Sequence, residues 1–154
     1  MNADERHQDA AQRRAAFTAQ VQARTGIDEA MIHHLVHRFY ERVRSDAMLA
    51  PVFEQRILDW EPHLDRMCAF WSSVALMTGR YHGRPMHKHA PLPVGGVHFD
   101  RWLDLFCESA RDECPAAAAA HFIEKARMIA ESLELGIASH RGLLLKKGER
   151  LPAP

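Results

Sequence analysis

Apolar residues recur along this chain at steps of three and four, which predicts helices throughout. The first stretch, 5–24, is alanine-rich and polar. Its apolar positions (Ala10, Ala11, Ala15, Ala16, Phe17, Val21) form only a thin stripe, so a loosely packed helix with a frayed start is expected. Gly26 breaks it, and Asp28 is placed to cap a second helix. That helix carries a strong stripe of Met31, Ile32, Leu35, Val36, Phe39, Tyr40 and Val43, and should end near Ser45 and Asp46. Pro51 suits the start of a short helical piece over 50–56. Asp59 can cap a helix from Trp60 to Thr78, with Trp60, His63, Met67, Phe70, Trp71, Val74 and Met77 on one face and Gly79 as its stop.

Between residues 81 and 93 the periodicity fails. Gly83, Pro85, Pro91 and Pro93 limit any helix there to one or two turns around 84–89. Gly95 and Gly96 close this loop. A strong helix then begins near Val97, with Phe99, Trp102, Leu103, Leu105, Phe106, Ser109 and Ala110 inward. A last long helix runs from Ala116 to Ala138, with Ala119, Phe122, Ile123, Ala126, Ile129, Ala130 and Leu133 on its inner face and Gly136 as a weak point. Residues 146–154 are polar with two prolines, and disorder is expected there. No strand pattern and no internal repeat interrupt this reading, so the fold class is all-α.

Totals change the picture little. At 154 residues the chain is one domain, large enough for a core without staples. Twenty basic residues balance twenty acidic ones, which removes the electrostatic case for nucleic acid or an anionic membrane. No apolar run approaches the roughly 20 residues of a membrane span, and no signal peptide is seen at the N-terminus. Three cysteines, none in a C-x-x-C pair, fit a reducing compartment, and a cytoplasmic location is expected. Cys68 and Cys107 read as core thiols, and nothing beside Cys114 suggests activation.

The unusual number is histidine, 11 of 154. His63 shares the apolar stripe of its helix with Met67 and Trp71. Alone, such a histidine is most simply a buried, hydrogen-bonded one. Tyr40 points inward by the same argument, and a buried hydroxyl needs a partner. Trp102 adds an indole N–H. The three donors lie on different helices. They can be satisfied separately or converge on one small polar ligand. His89 sits between prolines on a short stiff segment, where a ligand to a metal could be held at fixed depth. On position alone it reads as a surface histidine. His82 and His87 have weaker claims. A zinc site from His87, His89 and His98, or from the pair His33 and His37, lacks cysteine or carboxylate partners at structural spacing. There is no phosphate-binding glycine loop and no nucleophilic triad.

Six ordered groups of residues together resemble the group III truncated haemoglobins. They are FYERVR at 39–44 with LAPVF at 49–53, DWEPH at 59–63, FWSS at 70–73, YHGRPMHKH at 81–89, FDRWLDLF at 99–106 and ARMIA at 126–130. The match runs over about residues 30–135, and no glycine pair precedes Trp60, in keeping with that group. The resemblance implies a two-over-two helical sandwich around one haem b (iron protoporphyrin IX), to which the pattern over 5–24 adds an extra N-terminal helix. It implies His89 as the iron ligand and Tyr40, His63 and Trp102 as the distal groups. Phe53 would pack on the porphyrin, with Met67 and Trp71 lining the pocket. Arg84 and Lys88 are candidates to pair with the propionates. The expected divisions are a polar helical extension over 1–25, a haem domain over 26–140, and a tail over 141–154 expected to be disordered. Nothing of the resemblance reaches 1–25 or 141–154.

The implied function is binding of O2 and of other diatomics such as CO and NO. The alternatives left open are a haem-dependent redox enzyme (peroxidase-like or a nitric oxide dioxygenase, served by a reductase), a sensor or interaction module docking through 1–25, and a helical bundle without haem. The resemblance is compatible with an enzyme or a binding protein and with a monomer or a weak homodimer.

Overall fold

A computed structural model describes residues 2–154. Seven helices follow in order: α1 (Ala3–Thr25), α2 (Glu29–Arg44), α3 (Ala50–Glu54), α4 (Trp60–Leu76), α5 (Pro85–His89), α6 (Gly96–Glu113) and α7 (Ala116–His140). No strand occurs among the described residues. Helices α2 and α4 pack on one another, α6 packs on α7, and the two pairs cross through α2 on α6 and α4 on α7. This is the two-over-two arrangement.

Local chemistry sets most boundaries. Asn2 and Glu5 form a reciprocal capping box at the start of α1, each side chain accepting the other's backbone N–H at 2.8 Å. The first turn is therefore capped rather than left open. Gly26 ends α1 in the left-handed region (φ 73°). As the thin stripe predicts, only Val21 and Thr25 of α1 are buried. Asp28 caps α2 by accepting from the Met31 N–H at 2.8 Å. Asp46 organises the turn into α3, accepting from the Leu49 and Met48 amides and from Arg101 Nε at 2.7 Å. Asp59 caps α4.

The core is the meeting of stripes. Ile32, Leu35, Val36, Phe39 and Val43 of α2, Leu76 of α4, Phe106 of α6 and Phe122 of α7 are all essentially fully buried. Each such large side chain contributes about 1.5–3 kcal/mol by leaving water.

Three features depart from the pattern read along the sequence. Helix α4 stops at Leu76, and Met77 takes the left-handed conformation (φ 55°) ahead of Gly79. The last-turn groups of α4 are claimed from outside: Thr18 of α1 bonds the Leu76 carbonyl, and the Tyr81 amide donates to the Ser73 hydroxyl at 2.9 Å. Helix α7 runs through Gly136 and continues to His140, two residues past the expected end. A Cβ on Gly136 would fall 2.1 Å from Met86 Cε, so the missing side chain makes room for α5. The third departure is the tail expected to be disordered. Leu151 is 3% exposed and belongs to a small apolar cluster with Val94, Ile137 and Ala138. Glu134 and Arg150 explain this packing, as set out below.

Candidate functional site

Tyr40 is the hub of the site. Its ring centroid lies 5.2 Å from His63, 5.8 Å from Phe53 and 5.8 Å from Trp60. Helix α2 presents Tyr40, the short α3 presents Phe53, and the first turn of α4 presents Trp60 and His63. Trp102 of α6 joins through Phe39, which stands edge-on to both rings, 5.0 Å from Tyr40 and 5.5 Å from Trp102. Trp102 in turn stacks on Phe106 at 5.5 Å. Neither the Tyr40 hydroxyl nor the Trp102 N–H bonds to another described residue.

The electrostatics keep these groups uncharged. Burial, with a smaller contribution from Cys68, pushes the Tyr40 phenol above its ordinary value, so it retains its proton. Burial is also the main reason that the His63 pKa is pushed down to about 4, helped by the charges of Arg66, His89 and Lys88. His63 Nε2 is buried and has no hydrogen-bond partner among the described residues. Such an atom costs about 1–3 kcal/mol unless something meets it.

His89 is fixed from below. Its Nδ1 lies 2.6 Å from the Pro85 carbonyl oxygen. A carbonyl only accepts, so Nδ1 carries a hydrogen; in the neutral ring this leaves the lone pair on Nε2, the form in which imidazole binds a metal. His7 and His37 make the same bond to the carbonyl four residues back. What separates His89 is its place: half-buried, on a five-residue helix that opens with Pro85 and packs on α7. His82 and His87 are exposed.

The orphaned His63 nitrogen fits a group that the described residues do not supply, a His89 ring with Nδ1 already committed fits the donor chemistry of a haem ligand, and Tyr40 and Phe53 gather beside His63, with Trp102 joined through Phe39. The other expected residues are placed as follows. Met67 is half-buried against the core. Trp71 is 3% exposed and stacks on Phe106 at 4.7 Å, so it is first a core residue. Arg84 and Lys88 are exposed. His33 and His37 stack at 3.9 Å on the surface of α2, and His34 bonds Glu113 at 2.6 Å. Among the described residues no group of three or more His, Cys, Asp or Glu side chains is gathered as a metal cluster. All three thiols are free, and burial pushes those of Cys68 and Cys114 up to about 11, away from reactivity.

Sequence reasoning placed Trp60 on its helix face without assigning it to the site. Its ring lies 5.6 Å from His63 and 6.4 Å from Phe53, with the Arg44 guanidinium 4.6 Å over it. The signal was the i, i+3 spacing of Trp60 and His63, which puts both on one face.

The comparisons with known proteins agree with this fold. The bacterial-like globin family matches residues 23–132. A group 3 truncated hemoglobin, ctb, of Campylobacter jejuni is 33% identical over 113 residues, covering 70% of this chain and 89% of the relative. A group 2 truncated hemoglobin, YjbI, of Bacillus subtilis is 29% identical over 79 residues, 50% of this chain and 60% of that one. The crystal structure of a group III truncated hemoglobin from Campylobacter jejuni superposes with a TM-score of 0.66 at 31% identity, covering 80% of this chain and 95% of that chain. The chain belongs to the bacterial-like globins, as a truncated haemoglobin of group III. It is thus a globin haem protein of the kind that binds diatomic ligands.

Proposed function

We propose that this chain holds haem b through His89 and binds O2 and other diatomic gases tightly, with Tyr40, His63 and Trp102 as distal donors. When bound, haem supplies a ferrous centre that takes a diatomic ligand. The chain's residues supply the rest. His89 offers Nε2, oriented by the Pro85 carbonyl. Tyr40, kept protonated by burial, offers an O–H. His63, kept neutral, offers an N–H or a lone pair as the ligand requires. Trp102 can only donate. Phe53, Met67 and Trp60 would line the porphyrin and keep water from these donors, and the exposed Arg84 and Lys88 would pair with the propionates. A ligand that gains negative charge is favoured by such donors, since charge-assisted hydrogen bonds contribute about 1.5–3 kcal/mol each.

The observation that carries this reading is the His63 Nε2, buried beside Tyr40 with no partner among the described residues, in a chain that also holds a His89 whose Nδ1 is already committed to the Pro85 carbonyl. The deciding experiment is the absorption spectrum of the purified, haem-reconstituted chain in ferrous, CO and O2 forms, with O2 release followed by stopped flow. A single Soret-active haem per chain with slow O2 release is expected. A chain that takes up no haem, or releases O2 as fast as a pocket without donors, contradicts it. Turnover of nitric oxide or peroxide with a reductase, in the same preparation, would place the same pocket in redox chemistry.

A further inference from the structure

The C-terminal residues do something that the haem-site reading leaves unused. After α7 ends, Arg141 turns its guanidinium onto the segment that follows His89, with Nη2 donating to the Leu92 carbonyl at 2.9 Å and the Val94 carbonyl at 3.0 Å. The Leu92 amide donates in turn to the His89 carbonyl at 3.0 Å. Two hydrogen bonds therefore connect Arg141 to His89. The chain then returns to the start of α6. The Gly96 amide donates to the Leu151 carbonyl at 2.8 Å, and the Leu151 amide donates to Glu134 Oε1 at 2.9 Å. Arg150 completes the closure: Nε bonds Glu134 at 2.9 Å, and Nη2 bonds the Gly96 carbonyl at 3.0 Å and Asp100 at 2.8 Å. Its guanidinium is held charged by these two carboxylates.

Two further observations show that the seat is built. A Cβ on Gly95 would meet the Pro152 carbonyl oxygen at 3.0 Å, and one on Gly96 would meet Glu134 Oε1 at 3.2 Å, so the glycine pair admits the tail. Glu134, only 8% exposed, spends a carboxylate on the inner stripe of α7, where an apolar residue would ordinarily lie. A buried carboxylate is costly unless fully bonded, and all its bonds here go to Arg150 and Leu151 of the tail.

We infer that residues 141–151 form a latch and that Arg141, with the Glu134–Arg150 pair, is a positioning residue for His89. Arg141 pins residues 92–94 to the end of α7, and the tail pins Gly96 to Glu134. Both ends of the short segment leading from His89 to α6 are thereby fixed to one helix. Met86, three residues before His89, is set against Gly136 of that same helix. The orientation and depth of His89 depend on α7 and the tail together. This rests on the reading of His89 as the iron ligand, but the latch itself does not.

The test uses the full chain loaded with haem, and three variants: Arg141→Met, Arg141→Lys, and a chain ending at Leu145. Amide hydrogen exchange is read over residues 86–96, with α2 and α4 as internal references. The iron–histidine stretching band of the ferrous form is read by resonance Raman. Arg141→Met and the shortened chain should exchange residues 90–96 at least tenfold faster with the references unchanged, and should shift or broaden the band. Arg141→Lys, which keeps a donor but not the fork, should lie between them and the parent. Exchange over 90–96 within twofold of the parent in Arg141→Met overturns the latch, as does a rise shared equally by α2 and α4. Faster exchange with an unchanged band overturns the positioning role. If the parent takes no haem, the haem reading falls while the exchange result still decides the latch.

Discussion

His89 donates its Nδ1 hydrogen to the Pro85 carbonyl across 2.6 Å, one turn back on a helix only five residues long. The bond fixes the tautomer, and Pro85 fixes the φ of the residue that accepts it. His63, on α4, has a buried Nε2 with no partner among the described residues and its ring against Tyr40. A histidine with one nitrogen committed and a second histidine with a buried nitrogen that no described residue meets fit a group that the protein does not itself supply.

Tyr40→Phe separates stability from function. The hydroxyl bonds no described residue, so its removal should leave the melting temperature unchanged or slightly raised. The same change should release O2 roughly ten to a hundred times faster, matching the loss of about 1.5–3 kcal/mol from one charge-assisted hydrogen bond. Stopped-flow dissociation and thermal unfolding on one preparation check both halves.

Trp60 packs against Tyr40, His63 and Phe53, with Arg44 over its outer face. Trp60→Ala should open a path to the distal groups and raise the CO association rate, measured by flash photolysis, several-fold. It should cost about 2 kcal/mol of stability, below the 3–5 kcal/mol of a fully buried tryptophan. Arg44→Ala, which removes only the cation–π contact, should cost less than about 1 kcal/mol.

The depressed pKa of His63 has a definite sign. With a value of about 4 instead of the ordinary 6.5, the ring is neutral throughout the range above pH 5. The iron–carbonyl stretching band of the CO form should therefore hold constant from pH 8 to pH 5.5. A transition centred near pH 6.5 that disappears in His63→Leu would show that the ring is not desolvated.

Met86 and Gly136 are coupled sterically. A methyl group at position 136 would lie 2.1 Å from Met86 Cε and 2.4 Å from its sulfur. In a Met86→Ala background, Gly136→Ala should stabilise α7 by up to about 1 kcal/mol through helix propensity. In the parent the gain should vanish or reverse as Met86 is displaced. A double-mutant cycle by chemical denaturation measures the difference.

The sequence made the helices readable wherever one face was apolar. The stripe from Ile32 to Val43 placed Tyr40 inward, and the steps from Trp60 through His63 to Trp71 did the same on α4. Convergence of Tyr40, His63 and Trp102 was not legible from periodicity, because period fixes a face and not which faces meet. The ordered family motifs supplied the expectation of iron between those residues and His89. The tail was misjudged because its polar composition, with Pro152 and Pro154, carries no periodic signal. The sign that it packs lay elsewhere, in Glu134 on the inward stripe of α7 and in the pair Gly95 and Gly96. A lone acid on an apolar face calls for a cation, and Arg150 is 16 residues away in the chain. The early end of α4 was equally hidden, since Thr18 and Tyr81 take its last-turn groups through tertiary contact.

The most direct measurement is haem uptake by the parent chain and by His89→Ala, with and without added imidazole. The parent should bind one haem per chain with a ferrous five-coordinate spectrum. His89→Ala should lose stable binding, and imidazole should restore the spectrum by filling the vacated place. An unchanged spectrum in His89→Ala would contradict the assignment and move the iron ligand to another histidine.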